Sequence, residues 1–278
     1  MKKLLLSIII LTFAIFSAAC SSSSEKTGDE KSKVIKIGIS GADDRVWQFM
    51  AKKLEKEGIK IKIVRFSDYV QPNMALAEGE LDANAFQTVA YFDAFIKEHK
   101  LDLTPIATTI IAPMGIYSDK YKKVDEIPDG GKIAVPNEAS NMGRALLLLQ
   151  EAGLIGLPKD FDGLGAIDKI TDNPKHLEIV PVVPGQTPRV LPDVAASVIN
   201  NGIAVDAGFS PTQDSIFHES ATATPYINII ATRTEDKDNP TLKKIAELFQ
   251  QDDVAEFINK EYKGNQIPTF VPLSKIGW

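Results

Sequence analysis

The chain has 278 residues, 44% of them hydrophobic and 24% charged, which is enough apolar material for a packed core in one or two domains. Its formal net charge of −6 excludes the basic footprint expected of a nucleic-acid binder. The single cysteine, Cys20, excludes an intrachain disulfide, and His99, His176 and His218 stand too far apart in sequence to form a metal-binding pair.

Lys2 and Lys3 precede an apolar run, Leu4 to Phe16, that is too short to span a bilayer. Small residues, Ser17-Ala18-Ala19, follow it, so residues 1–19 read as a secretory signal peptide. A cysteine directly after them resembles a bacterial lipobox, with Ser17 where a larger aliphatic residue is usual, and marks Cys20 for acylation. Residues 20–33 are polar and charged and read as a lipid-anchored flexible tether of about 20 Å root-mean-square reach. No later segment is apolar for long enough to cross a bilayer.

From Val34 the pattern alternates. Strands are expected over Val34–Ser40, Ile59–Phe66 and Leu81–Phe86, with helices over Val46–Lys56, Asp68–Ala77 and Val89–Glu98 between and after them. This is a β-α-β-α-β-α order, which predicts an α/β fold with a mainly parallel sheet flanked by helices. Leu103–Tyr117 is a long β-rich passage broken at Pro105 and Pro113. The alternation then restarts with a strand at Lys132–Val135, a helix at Met142–Glu151, and strands at Leu177–Val183 and Ser197–Ile199. A short helix is expected from Pro192 to Ala196. A strand at Tyr226–Thr232 and amphipathic helices at Pro240–Gln250 and Val254–Tyr262 close the chain before a proline-punctuated tail. Two such units joined by two long passages imply two lobes: 34–117 plus 229–278, and 118–228.

The stretch from Ile133 to Leu149 reads strand, loop, helix, with Ser140 or Asn141 placed to cap the helix and Arg144 about one turn inside it. A helix start favours an anion, and an arginine adds a planar fork that grips a carboxylate with two bonds. Two readings fit: a socket for an amino-acid carboxylate, or a solvated arginine on an ordinary capped helix. A second cluster runs from Phe66 to Gln87 and sets aromatics beside amides at loop–helix junctions. It suits a small ligand with an apolar side chain and polar ends, though Phe66 and Phe86 equally suit a core. No nucleophile–base set, CxxC, GxSxG or phosphate-loop motif occurs, so no catalytic residue, metal or cofactor is expected.

Tyr69-Val70, Pro72-Asn73, Leu81-Asp82-Ala83-Asn84, Phe86-Gln87, Pro136-Asn137, Asn141, Gly143-Arg144, Asn173-Pro174-Lys175, Val198-Ile199-Asn200, Pro225-Tyr226 with Asn228, and Gly277-Trp278 together resemble the methionine-binding lipoprotein family of NlpA type. The resemblance covers nearly all of residues 34–278. It implies a two-lobed, type 2 periplasmic-binding-protein-like fold with mixed sheets, two hinge crossovers and closure over a ligand. It implies a monomeric, lipid-anchored, extracytoplasmic substrate-binding protein of an ABC importer, working with a membrane permease. The ligand implied is methionine or a related amino acid; a methionine-containing dipeptide or another small amino acid is the alternative, and a cell-surface enzyme the disfavoured one. By position, Arg144 corresponds to the carboxylate-holding residue, Asn141, Asn200 and Asn228 to those at the ligand's polar ends, and Tyr69, Phe86 and Tyr91 to the side-chain pocket. The chain departs from the family at Thr88, where histidine is usual, at Ala90 (proline), at Thr187 (leucine) and at Asn201-Gly202-Ile203, where an aromatic is usual. Thr88 is therefore expected to line a widened or re-polarised pocket.

Overall fold

The computed structural model describes residues 34–220 and 224–278. The expected signal peptide, tether and acylated Cys20 lie outside the described residues. In chain order the elements are β1 (Ile35–Ser40), α1 (Arg45–Glu55), β2 (Ile61–Phe66), α2 (Gln71–Ala77), β3 (Ala83–Asn84), α3 (Val89–His99), β4 (Leu103–Ile111) and β5 (Gly115–Tyr117). They continue with β6 (Lys132–Pro136), α4 (Ala139–Glu151), β7 (Glu178–Val182), β8 (Ala196–Ile199), α5 (Asn201–Asp206), α6 (Pro211–Asp214) and β9 (Phe217–His218). The last are β10 (Ile227–Arg233), α7 (Pro240–Phe249), α8 (Asp252–Tyr262) and β11 (Ile267–Pro268).

Two mixed sheets result. The first has the order β11-β4-β10-β3-β1-β2 and the second β7-β6-β8-β5-β9. Parallel pairing of β1 with β2 and β3, and of β6 with β7 and β8, reflects the αβ alternation. In the first sheet β10 runs antiparallel between β3 and β4. In the second, β5 runs antiparallel to β8 and β9. In each sheet, then, a strand arriving from the other lobe lies antiparallel to its neighbours. The chain crosses between Ile111 and Gly115 and returns between His218 and Ile227. The lobe limits expected at 117 and 229 are thus displaced: Gly115 sits opposite Ile199, so β5 belongs to the second lobe. Pro113 marks the change of sheet inside a run whose apolar pattern does not change.

Each lobe has its own core. Trp47, Met50 and Leu54 recur at helical spacing on α1 and bury one stripe of it. They pack with Ile37, Ile230, Ile245 and Ile258. In the second lobe Ile133, Val135, Leu146 and Leu149 join Ile116 and Val198. The expected strand Leu81–Phe86 narrows to β3, and the expected helix at 192–196 is a 3-10 turn, Leu191–Asp193. Directly after β8, Asn200 takes the N-cap position and α5 begins at Asn201.

Helix α4 ends as its sequence suggests. Gly153 takes a φ of +72°, and the Leu154 N–H bonds back to the Leu149 carbonyl at 2.9 Å. Its start differs. Glu138 occupies the N-cap position with no side-chain cap, and Ser140 and Asn141 are buried inside the first turn. Arg144 therefore lies in the second turn. Asn141 does not cap the helix because its side-chain oxygen accepts a hydrogen bond from Asn200 instead.

Candidate ligand-binding site

On the first lobe, three buried amides fix the wall. Asn73 and Gln87 exchange two hydrogen bonds of 2.7 Å, and Asn84 donates to Asn73 Oδ1 at 2.9 Å and to the Pro72 carbonyl at 3.1 Å. This network ties α2, β3 and the start of α3 together where no water reaches, so their relative positions are tightly held. The aromatics follow from that placement. Ring centroids lie 6.0 Å apart for Tyr69 and Phe86, 6.0 Å for Tyr69 and Tyr91, and 6.3 Å for Phe86 and Tyr91. The Tyr91 hydroxyl donates to the Tyr69 carbonyl at 3.0 Å. Thr88 caps α3, its Oγ1 accepting from the Tyr91 N–H at 3.2 Å, and it forms an antiparallel bridge with Asn228.

On the second lobe, Arg144 is 4% exposed and cannot remain an unpaired charge. Its Nε donates to Glu219 Oε1 at 2.7 Å and its Nη2 to Glu219 Oε2 at 2.5 Å. Nη2 also donates to the Ala112 carbonyl at 3.0 Å, and the guanidinium lies 4.3 Å from the Tyr226 ring centroid. The two-bond grip expected for a ligand is therefore taken by Glu219, the counter-ion that burial requires. Nη1 makes no hydrogen bond with the described residues. Asn200 Nδ2 donates to Asn141 Oδ1 at 2.9 Å, while Asn200 Oδ1 is buried without a partner.

Arg144, Asn141, Asn200, Asn228, Tyr69, Phe86, Thr88 and Tyr91 all line one small cavity of about 60 Å³. It adjoins an interlobe cavity of about 1050 Å³, and Tyr69, Phe86, Asn201 and Asn228 line both. The lobes also bond directly. The Ala42 N–H, in the turn after β1, donates to both carboxylate oxygens of Asp206 at 3.0 and 3.1 Å. Gly41 has a φ of +88°, and a Cβ there would lie 2.6 Å from Asp206 Oδ2, so the approach needs glycine. Near the crossovers Asn201 donates to the carbonyls of Pro113 and Asn265. Among the described residues no group of three or more His, Cys, Asp or Glu is arranged to hold a metal, and no helix is long and apolar enough to cross a membrane.

The model of the NlpA lipoprotein family matches residues 35–270. The chain belongs to the NlpA lipoprotein family. Its similarity to an uncharacterized lipoprotein of Bacillus subtilis, YhcJ, is 40% identity over 276 residues, covering 99% of this chain and 97% of that protein. The D-methionine-binding lipoprotein MetQ of Salmonella typhimurium is 42% identical over 241 residues, with 84% of this chain and 87% of that one covered. A nutrient binding protein from Burkholderia cenocepacia, solved bound to methionine, superposes with a TM-score of 0.81 at 45% identity, over 85% of this chain and all of that one.

Within this NlpA-family chain the departures noted in the sequence fall in different places. Thr88 and Gly202 line the small cavity and Ile203 the larger one. Thr187 is wholly buried and donates to the Pro184 carbonyl, and neither it nor Ala90 lines either cavity. Sequence reasoning missed Glu219 as the partner of Arg144, the cavity-lining Glu138, and Asp206. The one available signal for Glu219 was indirect: an arginine on a buried helix face requires an acid somewhere.

Proposed function

We propose that this protein is the lipid-anchored, extracytoplasmic substrate-binding component of an ABC importer, capturing methionine or a related amino acid for a membrane permease. Acylated Cys20 is the anchor in this reading, and the chemistry is capture and release with no covalent step. The observation that carries it is the convergence of unmet polar edges on the small cavity: the Asn200 Oδ1 acceptor, buried without a partner, beside the Nη1 edge of Arg144. The first suits an ammonium group and the second a carboxylate, the two ends of an α-amino acid. Asn141 and Asn228 complete the polar end, and Tyr69, Phe86, Tyr91 and Thr88 enclose the side chain. The names of the MetQ relatives and the methionine-bound neighbour support the same ligand class.

Calorimetric titration with L-methionine and a panel of amino acids and methionine-containing dipeptides tests the reading. Saturable one-to-one binding is expected. Asn200→Ala removes a hydrogen bond to a charged group, worth about 1.5–3 kcal/mol, and should weaken binding roughly ten- to a hundredfold. The reading fails if nothing in the panel binds, or if Asn200→Ala binds as tightly as wild type.

A further inference from the structure

The interlobe cavity is lined by four acids, and three of them are engaged. Asp43 is paired with Arg45, Asp68 accepts from the Val70 and Gln71 N–H groups, and Asp206 accepts from the Ala42 N–H. The fourth, Glu138, has a buried Oε2 with no partner. The cavity's arginines do not neutralise it: Arg65 is paired with Asp44, and Arg189 forms no ion pair among the described residues. The N-terminal end of α4 lowers the cost of the charge but gives Oε2 no hydrogen bond. Burial pushes the Glu138 carboxyl above its usual range, and contacts with its own backbone N–H and with Asn141 offset only part of that.

Glu138 also sits beside the aromatic pocket. Tyr69 and Phe86 line its cavity, and its charge, after burial, is what pushes the Tyr69 and Tyr91 hydroxyls upward. Two aromatic rings lining the same cavity as an unmatched carboxylate form an environment in which a cation is stabilised, because ring faces carry negative potential. Thr88 adds no charge, its hydroxyl being committed to the start of α3.

We propose that Glu138 reads a positive charge at the side-chain end of the bound amino acid, so that the preferred ligand is a cationic relative of methionine, a sulfonium or an alkylammonium. This rests on the amino-acid reading of the site and adds to it a second charge at the far end of the ligand. The α-carboxylate stays at Arg144 and the α-ammonium at Asn200, while the side-chain cation lies against Tyr69 and Phe86 and meets Oε2.

The probe pair is L-methionine and S-methyl-L-methionine, which differ by one methyl group and one charge, with L-lysine as the ammonium arm. Calorimetry on the full chain in detergent should give the sulfonium, lysine or both an affinity roughly tenfold above that of methionine, the scale of a desolvated cation over aromatic faces. Which of the two gains identifies the source of the charge. In Glu138→Gln, checked by its unfolding midpoint, the ratio should shrink to within about threefold. Methionine binding as tightly as both cations overturns the proposal from wild type alone, and an unchanged ratio in Glu138→Gln overturns it too. If no member of the panel binds, the amino-acid reading fails first and takes this inference with it.

Discussion

Arg144 has a structural partner in Glu219 and, in the proposed reading, a ligand contact as well. Its charge is neutralised by Glu219, so removing either partner leaves a buried, uncompensated charge. Such a loss costs about 3–5 kcal/mol, while replacing both members of a buried pair is often nearly neutral. Arg144→Ala and Glu219→Ala should each lower stability by about that much, and the double variant should recover a large part of it. Urea denaturation of the four proteins measures the coupling. Strict additivity would show that the pair does not stabilise the fold through mutual neutralisation. The same experiment governs how binding data on Arg144→Ala are read, because a loss of affinity there mixes ligand contact with a disturbed lobe.

Between α2, β3 and α3, the Asn73–Asn84–Gln87 network does the positioning that the aromatics depend on. Asn73→Leu leaves Gln87 and Asn84 with buried donors and acceptors unmet, at about 1–3 kcal/mol for each group. A fall in the urea midpoint of the full chain is expected, together with weaker ligand binding as Tyr69 and Tyr91 lose their common support. Unchanged stability would mean that water or a neighbouring group replaces the amide. Much at this scale was legible in the sequence. The αβ alternation predicted both sheets' parallel pairs, and the apolar spacing on α1 and α4 predicted their buried faces. What was not legible depends on partners distant in the chain. Glu138 at the N-cap of α4 looked like loop, because nothing local shows that Asn141 is drawn away to Asn200, 59 residues on. The change of sheet at Pro113 was hidden for the same reason: β4 and β5 are both apolar, and only their pairing partners tell them apart.

At the scale of the whole molecule, the bonds from Ala42 to Asp206 act as a latch across the cleft. They join residues 164 positions apart, on opposite lobes. One exposed N–H shared between two oxygens is worth about 0.5–1.5 kcal/mol in all. Asp206→Ala should therefore shift the protein measured without ligand toward an open arrangement and reduce apparent affinity by roughly two- to tenfold, as the competent population falls. Small-angle scattering without ligand should show a larger radius of gyration for the variant. In stopped-flow measurements most of the change should fall on the dissociation rate, since the latch acts after encounter. Identical scattering and kinetics would show that the latch makes no difference to closure.

The place of β10 in the first sheet also dictates an order of assembly during synthesis. The strands of the second lobe all lie between Gly115 and His218, so that lobe has its complete sheet as soon as His218 has emerged. The first lobe begins earlier yet finishes later, because β10 supplies the strand between β3 and β4, and β11 the edge beside β4. Until Ile227–Arg233 arrives, β4 has no neighbour in its sheet and β3 has an open side. Unpaired strand edges of this kind attract other chains. The N-terminal half of this protein therefore spends the synthesis of roughly a hundred residues as an unfinished sheet, which makes it the part most in need of protection until the later strands arrive.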